Sequence, residues 1–446
     1  MIKNKEFYRQ FFRICIVLVL QNVLTLSVNL ADNVMLGNYN EAALSGATAV
    51  NQIQFVYQQL LMGVGDALVI FASQYWGRGQ TKEIKKIASI AMVTGLVIVA
   101  TFFLAATVAP TFLLTLFTDD TQIIAQGVQY LSITRFTYIF LGIVLILLAT
   151  LRTVEVVKIA FVLSVSTLII NCGINWVLIA GRYGFPELGI VGAAIGTITA
   201  RIIELIILLI YIAHKDKVLK LRIRDYLVFD KELAKTYYRL LGPVLFAAAL
   251  WGVNTAMQTA ILGHMSSNAI AANSVAGNLF LLVKTGAIGA AGTTTIMIGK
   301  AIGEGRSNEL QGYANTFQKM FVIIGVVGSV ILLCLINPVL SLYNISEETS
   351  VLAKQFLMIL SVTLVFMSYQ MPTNIGIIRG AGDTKYMMYL DTTCICLIVL
   401  PLSFFMAFVI EASPVVVVMC LNVDQFIKVI PGYLKVNHGK WIHDLT

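Results

Sequence analysis

The sequence predicts an all-α membrane protein with twelve transmembrane helices in two pseudo-symmetric six-helix lobes. Three observations carry that prediction. The 446 residues are 58% hydrophobic and only 12% charged, where a soluble domain carries about 25% charged residues. The apolar residues gather into twelve runs, each long enough to cross a hydrocarbon core of about 30 Å as a helix. The first half of the chain also recurs in the second at a fixed offset.

The runs lie near 14–37, 48–72, 87–117, 122–150, 159–181, 189–213, 240–263, 270–299, 313–340, 350–378, 386–410 and 412–433. Lys3, Lys5, Arg9 and Arg13 lead straight into the first, with no small-residue cleavage site after it. It therefore reads as a retained span and not a removed signal. The connectors alternate in charge. One set holds Arg78, Lys82, Lys85 and Lys86, then Arg152 and Lys158, the segment 214–239, Lys300 and Arg306, and Arg379 and Lys385. The other set has Arg182 as its only Lys or Arg. Basic loops stay inside, so both termini and segment 214–239 are expected in the cytoplasm of a bacterial cell, and the chain in its plasma membrane.

Segment 214–239, HKDKVLKLRIRDYLVFDKELAKTYYR, is the single long charged interruption. It divides the chain into a first lobe, 1–213, and a second lobe with a cytoplasmic tail, 240–446. An offset of 226 pairs Gly37 with Gly263, Gly63 with Gly289, Gly77 with Gly303, Gly79 with Gly305 and Glu83 with Glu309. An offset of 227 pairs Arg152 with Arg379 and Lys158 with Lys385. Six spans per half, both halves starting inside, make a parallel repeat about an axis along the membrane normal. Transporters built this way place their site between or within the halves.

Several function classes fall away. The net charge is +8, but the basic residues sit in short connectors, so no nucleic-acid partner is expected. His214, His264, His438 and His443 lie in loops with no metal or catalytic constellation around them. An enzyme, a cofactor and an obligate protein partner are not expected. GAGDTK, residues 380–385, lacks the spacing of a nucleotide loop and follows a helix, not a strand. The six cysteines lie in or beside apolar runs and read as small core residues.

The chemistry concentrates where charge enters apolar runs. Asp32 lies well inside LQNVLTLSVNLADNVMLG, residues 20–37. A carboxylate at membrane depth costs about 2.5–3.5 kcal/mol on insertion scales and is a functional candidate by default. Its bland reading is a wet group in the outer third of the helix. Asn171 and Asn175 are i and i+4 on the fifth run, where they face a site or bond a neighbouring helix. Arg201 and Glu204, i and i+3 on the sixth, are placed to pair with each other. Asp66 and Arg135 either line a first-lobe cavity or pair across helices. Lys284 and Asp391 are charges inside second-lobe runs, and Asp424 has no assigned role.

Taken together, VNLADNVMLG, QYWGRG, NCGINWVLIAG, FPELGIVGAAIGT, the GP at Gly242–Pro243, and IIRGAGDTK with Asp391 and Pro401 resemble the MATE family, multidrug and toxic compound extrusion transporters of the MOP superfamily. The resemblance covers nearly the whole chain. It implies a two-lobe antiporter that expels organic cations and amphiphilic drugs in exchange for H⁺ or Na⁺. Asp32 matches the family's first-helix acid, Asn171 and Asn175 its polar pair, and Thr197 a nearby hydroxyl. These four form the expected cation-coupling set, with Asp32 as a possible Na⁺ ligand in an all-oxygen cage. Asp391, Lys284, Arg135 and Asp66 form the expected substrate cavity. The chain departs from the family at Ala248, where a carboxylate is common, and at Lys284. Lys284 is left to pair with Asp391, to snorkel, or to face the cavity. The alternative function is a flippase of lipid or lipid-linked oligosaccharide. The expected partners are small organic cations and the bilayer.

Overall fold

The structure, a computed structural model, describes residues 2, 4–341, 343 and 345–446; among these, the side chains of 223, 227, 267 and 307 are outside the described set. The described chain is helical, without strands. Among the described residues, eleven helices are long and apolar enough to span a membrane, and counting one bent pair as a single span makes twelve.

In the first half, α1 (Lys5–Gly37), α2 (Glu41–Gly77), α3 (Thr81–Val108), α7 (Lys158–Leu178) and α8 (Gly189–His214) are single spans. The third run is cut where Pro110 opens the short α4 (Pro110–Thr115), because proline cannot continue the helix before it. The fourth run, expected as one span, is α5 (Thr121–Thr134) and α6 (Thr137–Thr153), bent by 54°. In the second half, α9 (Lys231–Met265), α10 (Ser267–Gly303) and α11 (Ser307–Leu340) are long. Then α12 (Glu347–Met371) runs into a π-helical stretch, Pro372–Arg379. A second π-helical stretch, Thr393–Val399, joins α13 (Thr384–Thr392) to α14 (Leu400–Phe408) just before Pro401. Proline removes one ladder hydrogen bond and admits the wider turn. The last span is segmented into α15 (Pro414–Leu421), α16 (Asp424–Ile427) and α17 (Val429–His438).

The helices form two compact units. One comprises residues 20–72 and 80–241, the other 1–19, 73–79 and 242–446. The charged connector therefore belongs to the first-half unit, while two short first-half pieces cluster with the second-half helices. The first-half unit packs Tyr57, Leu61, Leu114, Tyr130 and Tyr138 at its core. The Tyr57 hydroxyl donates to the Tyr138 carbonyl. The other unit holds two clusters, one around Phe7, Phe11, Phe317 and Phe321, one around Leu332, Phe356, Leu360 and Val417. The repeat is visible in the backbone: Gly79 at φ 70° and its mate Gly305 at φ 72° both take the left-handed conformation that ends a helix.

Candidate functional site

The first-half unit brings Asp32, Asn171, Asn175 and Thr197 together. Asp32 comes from α1, the two asparagines from α7 and Thr197 from α8. Asn171 and Asn175 are a helical turn apart, so their amides stack on one face. The α8 backbone can approach that face because residue 196 is glycine: a Cβ there would collide with Asn175 Oδ1. All four side chains are buried, Asp32 and Thr197 at 9% exposure and the asparagines at 1% or less.

They form one hydrogen-bonded chain. Asn175 Nδ2 donates to Asp32 Oδ1 at 2.7 Å and to Asn171 Oδ1 at 3.2 Å. Asn171 Nδ2 donates to Thr197 Oγ1 at 3.3 Å, and the Thr197 hydroxyl donates to Ala193 O at 3.0 Å. Asn175 Oδ1 is buried without a hydrogen-bond partner. The arrangement differs from the expected all-oxygen cage in one respect: Asn175 turns an N–H, not an oxygen, to the carboxylate. Its own oxygen faces Gly196. Beside the chain lies a cavity of about 20 Å³, lined by Asp32, Asn51, Gln54, Tyr130, Thr197 and Arg201 among others. That is room for one water-sized guest.

Arg201 is the charged group that sequence reasoning did not place here. It was expected to pair with Glu204, and it does, Nη1 to Oε2 at 2.7 Å with side chains 13% and 7% exposed. It also lines the Asp32 cavity. The signal was present in the spacing, since Thr197 and Arg201 are i and i+4 on one helix face. The polar residues Asn51 and Gln54 of α2 were likewise missed.

Of the four residues expected in a substrate cavity, Asp66 and Arg135 belong to the unit that holds Asp32. Asp66 is bonded to Arg152 at 3.1 Å, the cross-helix pairing of the two readings. Arg135 lies at the break between α5 and α6, 5.2 Å from the Phe136 ring centroid, and is not among the residues lining the Asp32 cavity. In the second-half unit, the Lys284–Asp391 pair does not form. Asp391 is bonded instead to Lys428 at 2.8 Å, and Lys428 also holds Asp424 at 2.8 Å. A relay of amides extends this cluster: Gln425 donates to Asp424, Gln370 to Gln425, and Asn374 to Gln370. Lys284 Nζ sits 5.5 Å from the Trp251 ring centroid and 5.9 Å from that of Phe280. Aromatic faces attract an ammonium, and Lys284 takes that contact. Lys428 was not singled out, although Asp424 and Lys428 are i and i+4.

The family model described as MatE matches residues 18–177 and 243–405. The chain belongs to the MatE family. A Thermotoga maritima protein named "Probable multidrug resistance protein NorM" is 23% identical over 407 residues, which is 90% of this chain and 86% of that one. A Photorhabdus laumondii protein of the same name is 25% identical over 398 residues, 87% of this chain and 85% of the other. Among solved structures, a MATE protein crystallised in complex with MaL6 superposes with a TM-score of 0.85 at 17% identity, covering 96% of both chains. The MATE fold is thus shared, and this is a multi-pass membrane transporter.

Proposed function

We propose that this MatE protein exports organic cations and amphiphilic drugs across a bacterial plasma membrane in exchange for H⁺ or Na⁺. The observation that carries the reading is Asp32, a carboxylate buried in an apolar span, bonded by Asn175 and lining a cavity of one-guest size. Occupancy of that carboxylate by a coupling ion biases the exchange between two access states, provided that the ion binds them with different affinity. Asn175 and Asn171 orient the carboxylate from α7, and Thr197 ties them to α8. The names of the relatives above support drugs as cargo. An anionic lipid-linked cargo would need several free cationic partners; Arg201 and Lys428 are each bonded to carboxylates of this chain, and Lys284 and Arg135 lie against aromatic rings.

The test is efflux of a fluorescent organic cation in everted vesicles, energised by a pH gradient or a Na⁺ gradient. Asp32→Asn is nearly isosteric and accepts the same Asn175 bond, yet carries no charge for an ion to neutralise. Expression at the normal level with gradient-driven transport abolished is the expected result. Uphill transport at the wild-type rate would remove Asp32 from the coupling role.

A further inference from the structure

The coupling set admits Na⁺ as a candidate, yet the residues around Asp32 do not fit that ion. A hard cation binds by collecting oxygen lone pairs. Here Asp32 Oδ1, Asn171 Oδ1 and Thr197 Oγ1 each already accept an amide N–H, so Na⁺ would compete with a donor at three of its expected oxygens. The fourth expected ligand atom, Asn175 Oδ1, is packed against Gly196. The cavity also has a cation in its wall. Arg201 lies one helical turn after Thr197 and lines the same cavity of about 20 Å³ as Asp32. Glu204 anchors it at 2.7 Å. Its Nε is buried without a hydrogen-bond partner, a further donor that no metal ion can satisfy.

We infer that Arg201 selects the ion at this site: anchored by Glu204, its guanidinium lines the wall beside Asp32 with N–H donors where Na⁺ would need oxygens, and so keeps Na⁺ out. The inference deepens the exchange reading above and rests on it, leaving H⁺ as the exchanged ion. Glu204 offsets the guanidinium's charge, so the exclusion rests on its N–H groups, which cannot coordinate a metal ion. The need for a shell of free oxygens falls on Na⁺ alone, because H⁺ requires a single lone pair of Asp32. Among the described residues, the other titratable groups that interact electrostatically with Asp32 or Arg201 include Tyr57 from α2, Tyr130 from α5 and Cys172 from α7. None of the three is a carboxylate, and the carboxylate of Glu204 is taken by Arg201 at 2.7 Å.

The experiment is a NaCl titration of the purified full chain in detergent, against choline chloride at constant ionic strength, read as the thermal unfolding midpoint. Wild type is expected to show no Na⁺-specific rise. Arg201→Gln should gain a saturable rise at least about tenfold tighter in Na⁺ than anything in wild type, and Arg201→Lys should not. The gain should vanish when Asp32→Asn is added. A Na⁺-specific rise in wild type that is lost in Asp32→Asn overturns the inference, and that comparison stands even if the Arg201 variants do not fold. Equal Na⁺ responses in wild type and Arg201→Gln, or a gain that survives Asp32→Asn, overturn it too. The titration involves no transport, so failure of the export reading would show separately in the vesicle assay.

Discussion

Lys428 and Arg201 do similar work in different parts of the chain, each a cation held by carboxylates within membrane-spanning segments. An ionised side chain at that depth persists only when paired, and removing one partner of a buried pair costs about 3–5 kcal/mol because the other charge is stranded. Lys428 is 5% exposed and bonds both Asp391 and Asp424. Lys428→Met would strand two carboxylates at once. A markedly lower unfolding midpoint is expected, with recovery when Asp391→Asn and Asp424→Asn are added; an unchanged melt for the single variant would show that the cluster is wet. The sequence carried part of this arrangement. Arg201 with Glu204 and Asp424 with Lys428 follow from helical spacing. Asp391 with Lys428 does not, because the two lie on different helices and no periodicity links them. Lys284 and Asp391 were both charges in apolar runs, and composition alone could not say which cation meets which carboxylate. Asp32, Asn171, Asn175 and Thr197 were legible as a set, but the direction of the Asn175 amide depends on a neighbouring backbone at Gly196 that spacing does not reveal.

Among elements, the long apolar runs were the easiest to read and their interruptions the hardest. A hydropathy run records total length, whereas the 54° bend between α5 and α6 and the two π-helical stretches record local hydrogen-bond slips. Pro372 and Pro401 mark the two π-helical stretches, and Pro110 marks the break between α3 and α4. The bend at Arg135 and Phe136 contains neither proline nor glycine and had no sequence signal. The charged connector shows how an amphipathic segment is fixed. Leu219 and Leu221 are buried, Ser89 donates to Tyr226 O at 2.9 Å, and Lys85 and Lys86 bond Asp225 and Asp230 at 2.8 and 3.3 Å. Burial pushes the Asp225 carboxyl up, but the Lys85 ammonium and the Arg222 backbone N–H outweigh it and hold the group below its ordinary value. The backbone N–H of Leu233 and then Lys86 do the same for Asp230. Since folding lowers both values, the unfolded connector binds more protons in the acid range. Its docking is complete above the ordinary carboxylate value of about 4 and weakens as pH falls below it. Amide-exchange protection of residues 216–230, corrected for intrinsic rates, should be flat from pH 8 to about 5 and drop below about 4. Protection that instead fell between pH 7 and 5 would assign the docking to other groups.

For the whole molecule, the basic-residue asymmetry and the internal repeat make separate claims. The asymmetry sets orientation. With native thiols removed, a cysteine at Asp119 should react with an impermeant reagent from outside and one at Gln80 should not; both positions are exposed. The opposite pattern would invert the topology. The repeat is strongest at its glycines, as Gly79 and Gly305 show, and weakest at the candidate site. At the offset of 226, the counterpart of Asp32 is Gln258, which spends its amide on Leu421 O at 3.4 Å. At the offset of 227, Asn171 and Asn175 correspond to Ile398 and Leu402. The polar chain around Asp32 therefore has no duplicate, and the second half carries a different cluster whose own ammonium occupies its carboxylates. Coupling is expected to follow the half whose carboxylate bonds an amide, as Asp32 does, and not the Lys428 ammonium. Asp391→Asn leaves the Lys428–Asp424 bond in place, so it should preserve gradient-driven efflux while changing at most the apparent affinity for the drug. Asp32→Asn should reduce the same signal to that of vesicles lacking the protein. The two variants are to be compared at matched expression, under one pH gradient, over a range of drug concentrations. If Asp391→Asn alone abolished the gradient response and Asp32→Asn left it intact, the coupling group would be in the second half, and the Lys428 clamp would have to open during each cycle.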